Sequence, residues 1–274
     1  LPLEITVWPV LSPQDRLFQL KAWGFGAPDD RFWAEYQRQG MCNAYLSYPD
    51  LEQVMLPEHG ISLKQAIEEQ PEVFKAKEFP ALDFSYLDEY IGGQAARGLR
   101  VLCLQDVRTG CQIANAATGL EVNWREYGSD QVPEQWRKLW IAYYRELMAY
   151  LRGKGYRRVE PIWTDEPSVE SIKQRYLPIA EMYLEAGMQP GSHWTTPGFM
   201  TPEDVNQFAH GVSDWSMYSI MMPKFFSFIR EGTVKLRPDA RIGQTRGGSG
   251  YLHRSPCSRS RRLCWDVWHD GAAF

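Results

Sequence analysis

Two hydrophobic rhythms follow one another along this chain from end to end. Short apolar runs of strand length occur at Leu3-Glu4-Ile5-Thr6-Val7-Trp8, Cys42-Asn43-Ala44-Tyr45-Leu46-Ser47 and Leu99-Arg100-Val101-Leu102-Cys103-Leu104. Between them lie segments whose apolar residues recur three and four positions apart, the spacing of one helix face. Helices are predicted over 30–39 and 82–97, and from Pro133 onward, where Trp136, Leu139, Trp140, Tyr143, Leu147 and Tyr150 form one stripe. A fourth strand is predicted around Val159-Glu160-Pro161-Ile162-Trp163. It leads into a helix with apolar positions at Ile172, Tyr176, Ile179, Ala180 and Tyr183.

Further strands are predicted over 189–194, 214–219, 241–245 and 271–274, separated by helices over 201–209, 223–231 and 258–268. Two stretches carry neither rhythm. One holds Pro49, Pro57, Pro71 and Pro80; the other, over 108–131, is rich in Gly, Asn and Thr and is longer than an ordinary connection. Repeated strand and helix in this order predicts an α/β fold, a (β/α)8 TIM-type barrel, with residues 1–274 as one catalytic domain. The expected C-terminal closure is incomplete, because the eighth strand starts at 271 and most of the last βα unit is missing.

At 274 residues, 44% hydrophobic and 23% charged, the chain can bury a large core. A formal net charge of -4 gives no reason to expect a nucleic-acid partner. No apolar run reaches the roughly 18 residues of a membrane span, so no membrane partner is expected. The first residues do not have the charged-then-apolar order of a signal peptide. The five cysteines show no CxxC pair and no His at metal-ligand spacing, so neither a metal nor another cofactor is expected. Aromatic residues make up 14% of the chain, a level that suits a sugar site and equally suits an aromatic core.

The most informative stretch is Trp163-Thr164-Asp165-Glu166-Pro167, two adjacent carboxylates at the end of a strand and ahead of a helix. Strands of parallel α/β folds point their C-terminal ends at the active-site mouth, which makes Asp165 and Glu166 candidates for acid/base work. Capping of the following helix is the other reading of the same residues. The same register brings Trp8, Tyr48, Asp106, Trp163, His193, Trp194, Tyr218 and Arg246 to the mouth as substrate-binding candidates, polar groups interleaved with aromatic ones. Asp214 joins them on strand six, although it opens that strand and also suits a turn cap. His193 equally suits a histidine bonded to backbone, and Arg246 a partner for a neighbouring carboxylate. Gly247, Gly248 and Gly250 beside Arg246 lack the order of a phosphate loop.

With these residues in place, the chain resembles the glycoside hydrolases of family 123, retaining β-N-acetylgalactosaminidases, and their barrel relatives. The resemblance rests on Leu3-Glu4-Ile5-Thr6-Val7-Trp8-Pro9, on Trp163-Thr164-Asp165-Glu166-Pro167 and on Ser213-Asp214-Trp215. It implies a hydrolase of β-linked N-acetylhexosaminides, N-acetylgalactosaminides foremost, acting by substrate-assisted retention. Glu166 is then the general acid/base, and Asp165 orients and polarises the 2-acetamido group. A tyrosine that holds the acetamido oxygen is assigned to Tyr218. Family habit further implies a secreted or periplasmic protein with a carbohydrate substrate and no cofactor. The chain departs from the family in having no β-sandwich ahead of the barrel and an unfinished last unit. Two alternatives stay open: a conventional retaining glycosidase with its nucleophile at Asp106 or Asp214, and a non-catalytic carbohydrate-binding barrel.

Overall fold

The computed structural model describes residues 18–21, 43–123, 132–163, 169–194, 201–218, 222–238, 240–245 and 263–266. Ten strands lie within them: β1 Phe18–Lys21, β2 Asn43–Ser47, β3 Met55–Leu56, β4 Ile61–Ser62, β5 Val101–Gln105, β6 Arg158–Pro161, β7 Gly191–Trp194, β8 Asp214–Tyr218, β9 Arg241–Thr245 and β10 Leu263–Asp266. The α-helices among the described residues are α1 Leu63–Glu69, α2 Asp88–Ala96, α3 Arg108–Thr118, α4 Glu134–Gly153, α5 Val169–Ser171, α6 Leu177–Glu185, α7 Pro202–Phe208 and α8 Met222–Arg230. A π-helical turn over Ile172–Tyr176 joins α5 to α6.

These strands do not close into a (β/α)8 barrel. They form a five-stranded parallel sheet in the order β1-β10-β9-β8-β7, a separate three-stranded parallel sheet in the order β2-β5-β6, and a β3-β4 hairpin. The seam between β6 and β7 shows why the ladder stops. Pro161 at the end of β6 has no N–H to donate. The Val159 N–H is taken by the side-chain carbonyl of Gln189 at 3.2 Å, and the Gln189 N–H donates to the Val159 carbonyl at 2.8 Å. On the far side, the first carbonyl of β7, Gly191, accepts the Tyr176 hydroxyl at 2.8 Å. A single main-chain bond therefore crosses the seam there, while side chains occupy the Val159 N–H and the Gly191 carbonyl.

Three further expectations change. Residues within 108–131 are not all loop, since α3 covers Arg108–Thr118. Its small residues lie flat against the aromatic stripe of α4, where packing overrides a modest helix propensity. Of the helix expected over 258–268, the described residues Leu263–Asp266 form strand β10, whose Leu263-Cys264-Trp265 run suits a strand paired on both sides, here with β1 and β9. The Pro-rich segment holds a hairpin and α1, which Ser62 starts with a capping box to Gln65. The first expected strand and the last, over 271–274, lie outside the described residues.

The core runs continuously from β2 to α8 and is dense in rings. Trp136, Trp140, Tyr143 and Tyr144 of α4 are all fully enclosed. Trp215, at the second position of β8, packs on Phe225 of α8 with ring centroids 5.3 Å apart. A buried ion pair joins Arg158 to Glu160 on one face of β6, and the Arg158 guanidinium also donates to the Ser213 carbonyl at 3.1 Å. That contact holds the start of β6 beside the start of β8. Among the described residues, no helix is long and apolar enough to cross a membrane.

Candidate functional site

Strands β5 and β6 are neighbours in parallel register, with Val101 opposite Arg158 and Leu104 opposite Pro161. The Ile162 N–H extends this pairing by donating to the Leu104 carbonyl at 2.8 Å. Gln105 and Asp106 therefore leave β5 at the same edge from which Ile162 and Trp163 leave β6. In parallel sheets this carboxyl edge is where ligands are met.

Asp106 is 1% exposed. One of its carboxylate oxygens accepts the Thr109 N–H at 3.1 Å, capping the first turn of α3, and the other accepts the Tyr143 hydroxyl at 3.4 Å. Its main-chain carbonyl accepts the Tyr183 hydroxyl. Burial pushes the Asp106 carboxyl up to about 6, and the bonds from Thr109 and Tyr143 hold it from rising further. Tyr144 lies in the same cluster and also favours the carboxylate, although its hydroxyl has no partner in hydrogen-bond geometry. Tyr143, Tyr144 and Tyr183 are each raised well above the ordinary phenol range, first by burial and next by the Asp106 charge. Burial likewise pushes the Cys111 thiol up to about 12, so it is not a nucleophile.

Trp163 is 8% exposed and stacks on Tyr176, with centroids 4.6 Å apart and planes 15° apart. Tyr183 meets the same indole at 5.0 Å. One aromatic assembly thus ties the end of β6 to the π turn and to α6. The π turn begins five residues after Pro167, and such turns recur at functional sites.

Asp165 and Glu166 lie outside the described residues, as do Trp8 and Arg246. The backbone of β7 and β8 is described while the side chains of His193, Trp194, Asp214 and Tyr218 are not. Trp194 pairs with Met217, and Tyr218 with Thr245, so both end their strands at the carboxyl edge of the five-stranded sheet. Asp214 pairs with Gly191 and Arg241 at the opposite end of the strands. It stands roughly 13 Å along the strand from Tyr218. The structure therefore groups Asp106 with Trp163 and sets Asp214 apart from Tyr218.

Sequence reasoning did not find the ring of tyrosines around Asp106. Tyr143 and Tyr183 lie on apolar helical stripes, where a phenol is indistinguishable from a core residue until its hydroxyl finds the carboxylate. The unbroken apolar run of β5 ending in an acid was the signal available. Among the described residues, no three His, Cys, Asp or Glu side chains gather as a metal site. Compared with protein-family models, with curated proteins and with solved structures, the chain finds no match in any of the three.

Proposed function

We propose that this protein is a glycoside hydrolase of β-linked N-acetylhexosaminides, with Asp165 and Glu166 as its catalytic pair. The observation that carries the reading is the shared edge of β5 and β6, where Trp163, two residues before Asp165 in the sequence, leaves its parallel strand stacked on Tyr176. The reading needs only neighbouring parallel strands that end at one edge, not a closed barrel.

In the reaction, Glu166 gives its proton to the glycosidic oxygen as the acetamido carbonyl oxygen of the substrate attacks the anomeric carbon. The bond to the leaving group breaks and an oxazolinium ring forms, with the Asp165 carboxylate beside the acetamido nitrogen. Water then attacks the same carbon, Glu166 takes its proton, and the ring opens with retained configuration. Adjacent carboxylates suit this route better than the two-carboxylate one, which wants groups about 5 to 5.5 Å apart across the bond.

The conventional alternative is less well supported by its two nucleophile candidates. Asp106 is enclosed, with both oxygens engaged, and Asp214 begins its strand at the far end. Hydrolysis of aryl N-acetyl-β-hexosaminides by the parent and by Glu166→Gln tests the proposal. Turnover that falls at least about a hundredfold in the variant, together with inhibition by a thiazoline mimic of the oxazoline, is expected. Undiminished turnover in Glu166→Gln overturns it.

A further inference from the structure

Tyr48 is 41% exposed and, with Tyr90, is one of two large exposed side chains of apolar character among the described residues. The exposure of Tyr90 has a local cause, because its hydroxyl donates to the Tyr45 carbonyl at 2.9 Å. Tyr48 makes no such bond among the described residues. What it does meet is Arg108, whose guanidinium carbon lies 4.9 Å from the ring centroid.

Arg108 is exposed, and among the described residues it forms no hydrogen bond or ion pair. The carboxyl of Asp106, two residues earlier, is buried and engaged by Thr109 and Tyr143. A guanidinium held over a ring by its charge does not use up its five N–H donors, and those not aimed at the ring stay open to a carboxylate or sulfate. Arg108 also opens α3, where the first free amides add positive partial charge.

The location gives this pair a purpose. Ser47 pairs with Gln105 across β2 and β5, so Tyr48 and the Asp106-Val107-Arg108 turn leave the sheet at one edge. Trp163 leaves β6 at the same edge.

We propose that Tyr48 and Arg108 form a subsite for a negatively charged sugar, sulfated or uronic, whose ring lies against Tyr48 while its anion takes the open donors of Arg108. Taking this sugar as part of a cleaved glycan rests on the hydrolase reading, but its binding is measured without turnover.

The test titrates the full chain with N-acetylgalactosamine, N-acetylgalactosamine 6-sulfate, glucuronic acid and inorganic sulfate, followed by NMR. The two charged sugars are expected to bind more tightly than the neutral one. Arg108→Gln lowers their affinity about two- to fivefold, the range of an exposed charged pair, and leaves the neutral sugar unchanged. Tyr48→Ala weakens all three sugars and leaves inorganic sulfate as it was. Charged sugars that bind no better than the neutral one, or an Arg108→Gln variant that binds them equally well, or no sugar binding at all, overturns the subsite. Loss of the hydrolase reading alone appears as inactive parent protein that still shows these shifts.

Discussion

A Cβ placed on Gly110 of α3 would lie 2.6 Å from Cε2 of Tyr144 on α4, and 2.8 Å from the indole of Trp140. The two helices approach as closely as they do because residue 110 has no side chain. Gly110→Ala forces two enclosed rings to move, and overpacking of this kind costs about 1–3 kcal/mol. Gly92, inside α2 with open space around it, is the control. There the same substitution should stabilise by about 0.5–1 kcal/mol through helix propensity. Urea denaturation of both variants decides the matter, and equal effects at the two sites would refute the close crossing.

The buried Asp106 carboxyl makes stability depend on pH in the direction opposite to most acids. Its folded-state pKa, about 6, stands above its ordinary value of 3.8, so the folded chain holds the proton longer than the unfolded one. Stability is then greatest below about pH 4 as far as this group is concerned, and declines as pH rises to about 6. Asp106→Asn removes the titration. Relative to the parent, the variant should gain on the order of 3 kcal/mol between pH 4 and pH 7, whatever its offset at acid pH. Parallel denaturation curves for both proteins across that range check the sign, and a constant difference would contradict it.

How much of this was legible in the sequence can be judged from particular elements. The α4 stripe of Trp136, Trp140 and Tyr143 is visible as a period, and the structure buries all three. Strand β9 falls on the expected residues, because Arg241-Ile242-Gly243-Gln244-Thr245 is short and bounded. Trp215 faces a helix, as its alternation beside Asp214 implies. The α3 segment was hidden, since Gly110 and Thr109 look like loop residues until α4 supplies the surface that requires them to be small. Sheet closure was illegible for a related reason. A pattern of strands says nothing about Pro161 and Gln189 using up the seam. At the candidate site, an acid at the end of β5 was readable from sequence. Its enclosure was not, because Tyr143 and Tyr183 arrive from helices about 40 and 80 residues further along the chain.

Arg158 and Glu160 give a prediction about order at the start of β6. Both are buried, and taking the guanidinium from Glu160 costs far more than the pair itself contributes. Arg158→Met alone should destabilise by about 3–5 kcal/mol, whereas Arg158→Met combined with Glu160→Leu should recover most of that loss. A double variant no more stable than the single one would show that Arg158 acts through contacts other than Glu160, the Ser213 carbonyl among them.

The Trp163–Tyr176 stack links stability to the proposed chemistry, and its two members separate the effects. Tyr176→Phe keeps the stacked ring and loses only the hydroxyl bonded to the Gly191 carbonyl at 2.8 Å. That change should cost about 1 kcal/mol and leave kcat within about twofold. Trp163→Ala removes the ring itself and opens a cavity beside Tyr183, at a cost of about 3–5 kcal/mol. Because Trp163 stands two residues before Asp165 in the sequence, under the proposed function the same change removes a packed anchor close to both carboxylates. Turnover should then fall by at least about a hundredfold, even at temperatures where the variant is fully folded. If folded Trp163→Ala kept the kcat of Tyr176→Phe, the indole would be a core residue only, and the exit of β6 would not govern the proposed catalytic pair.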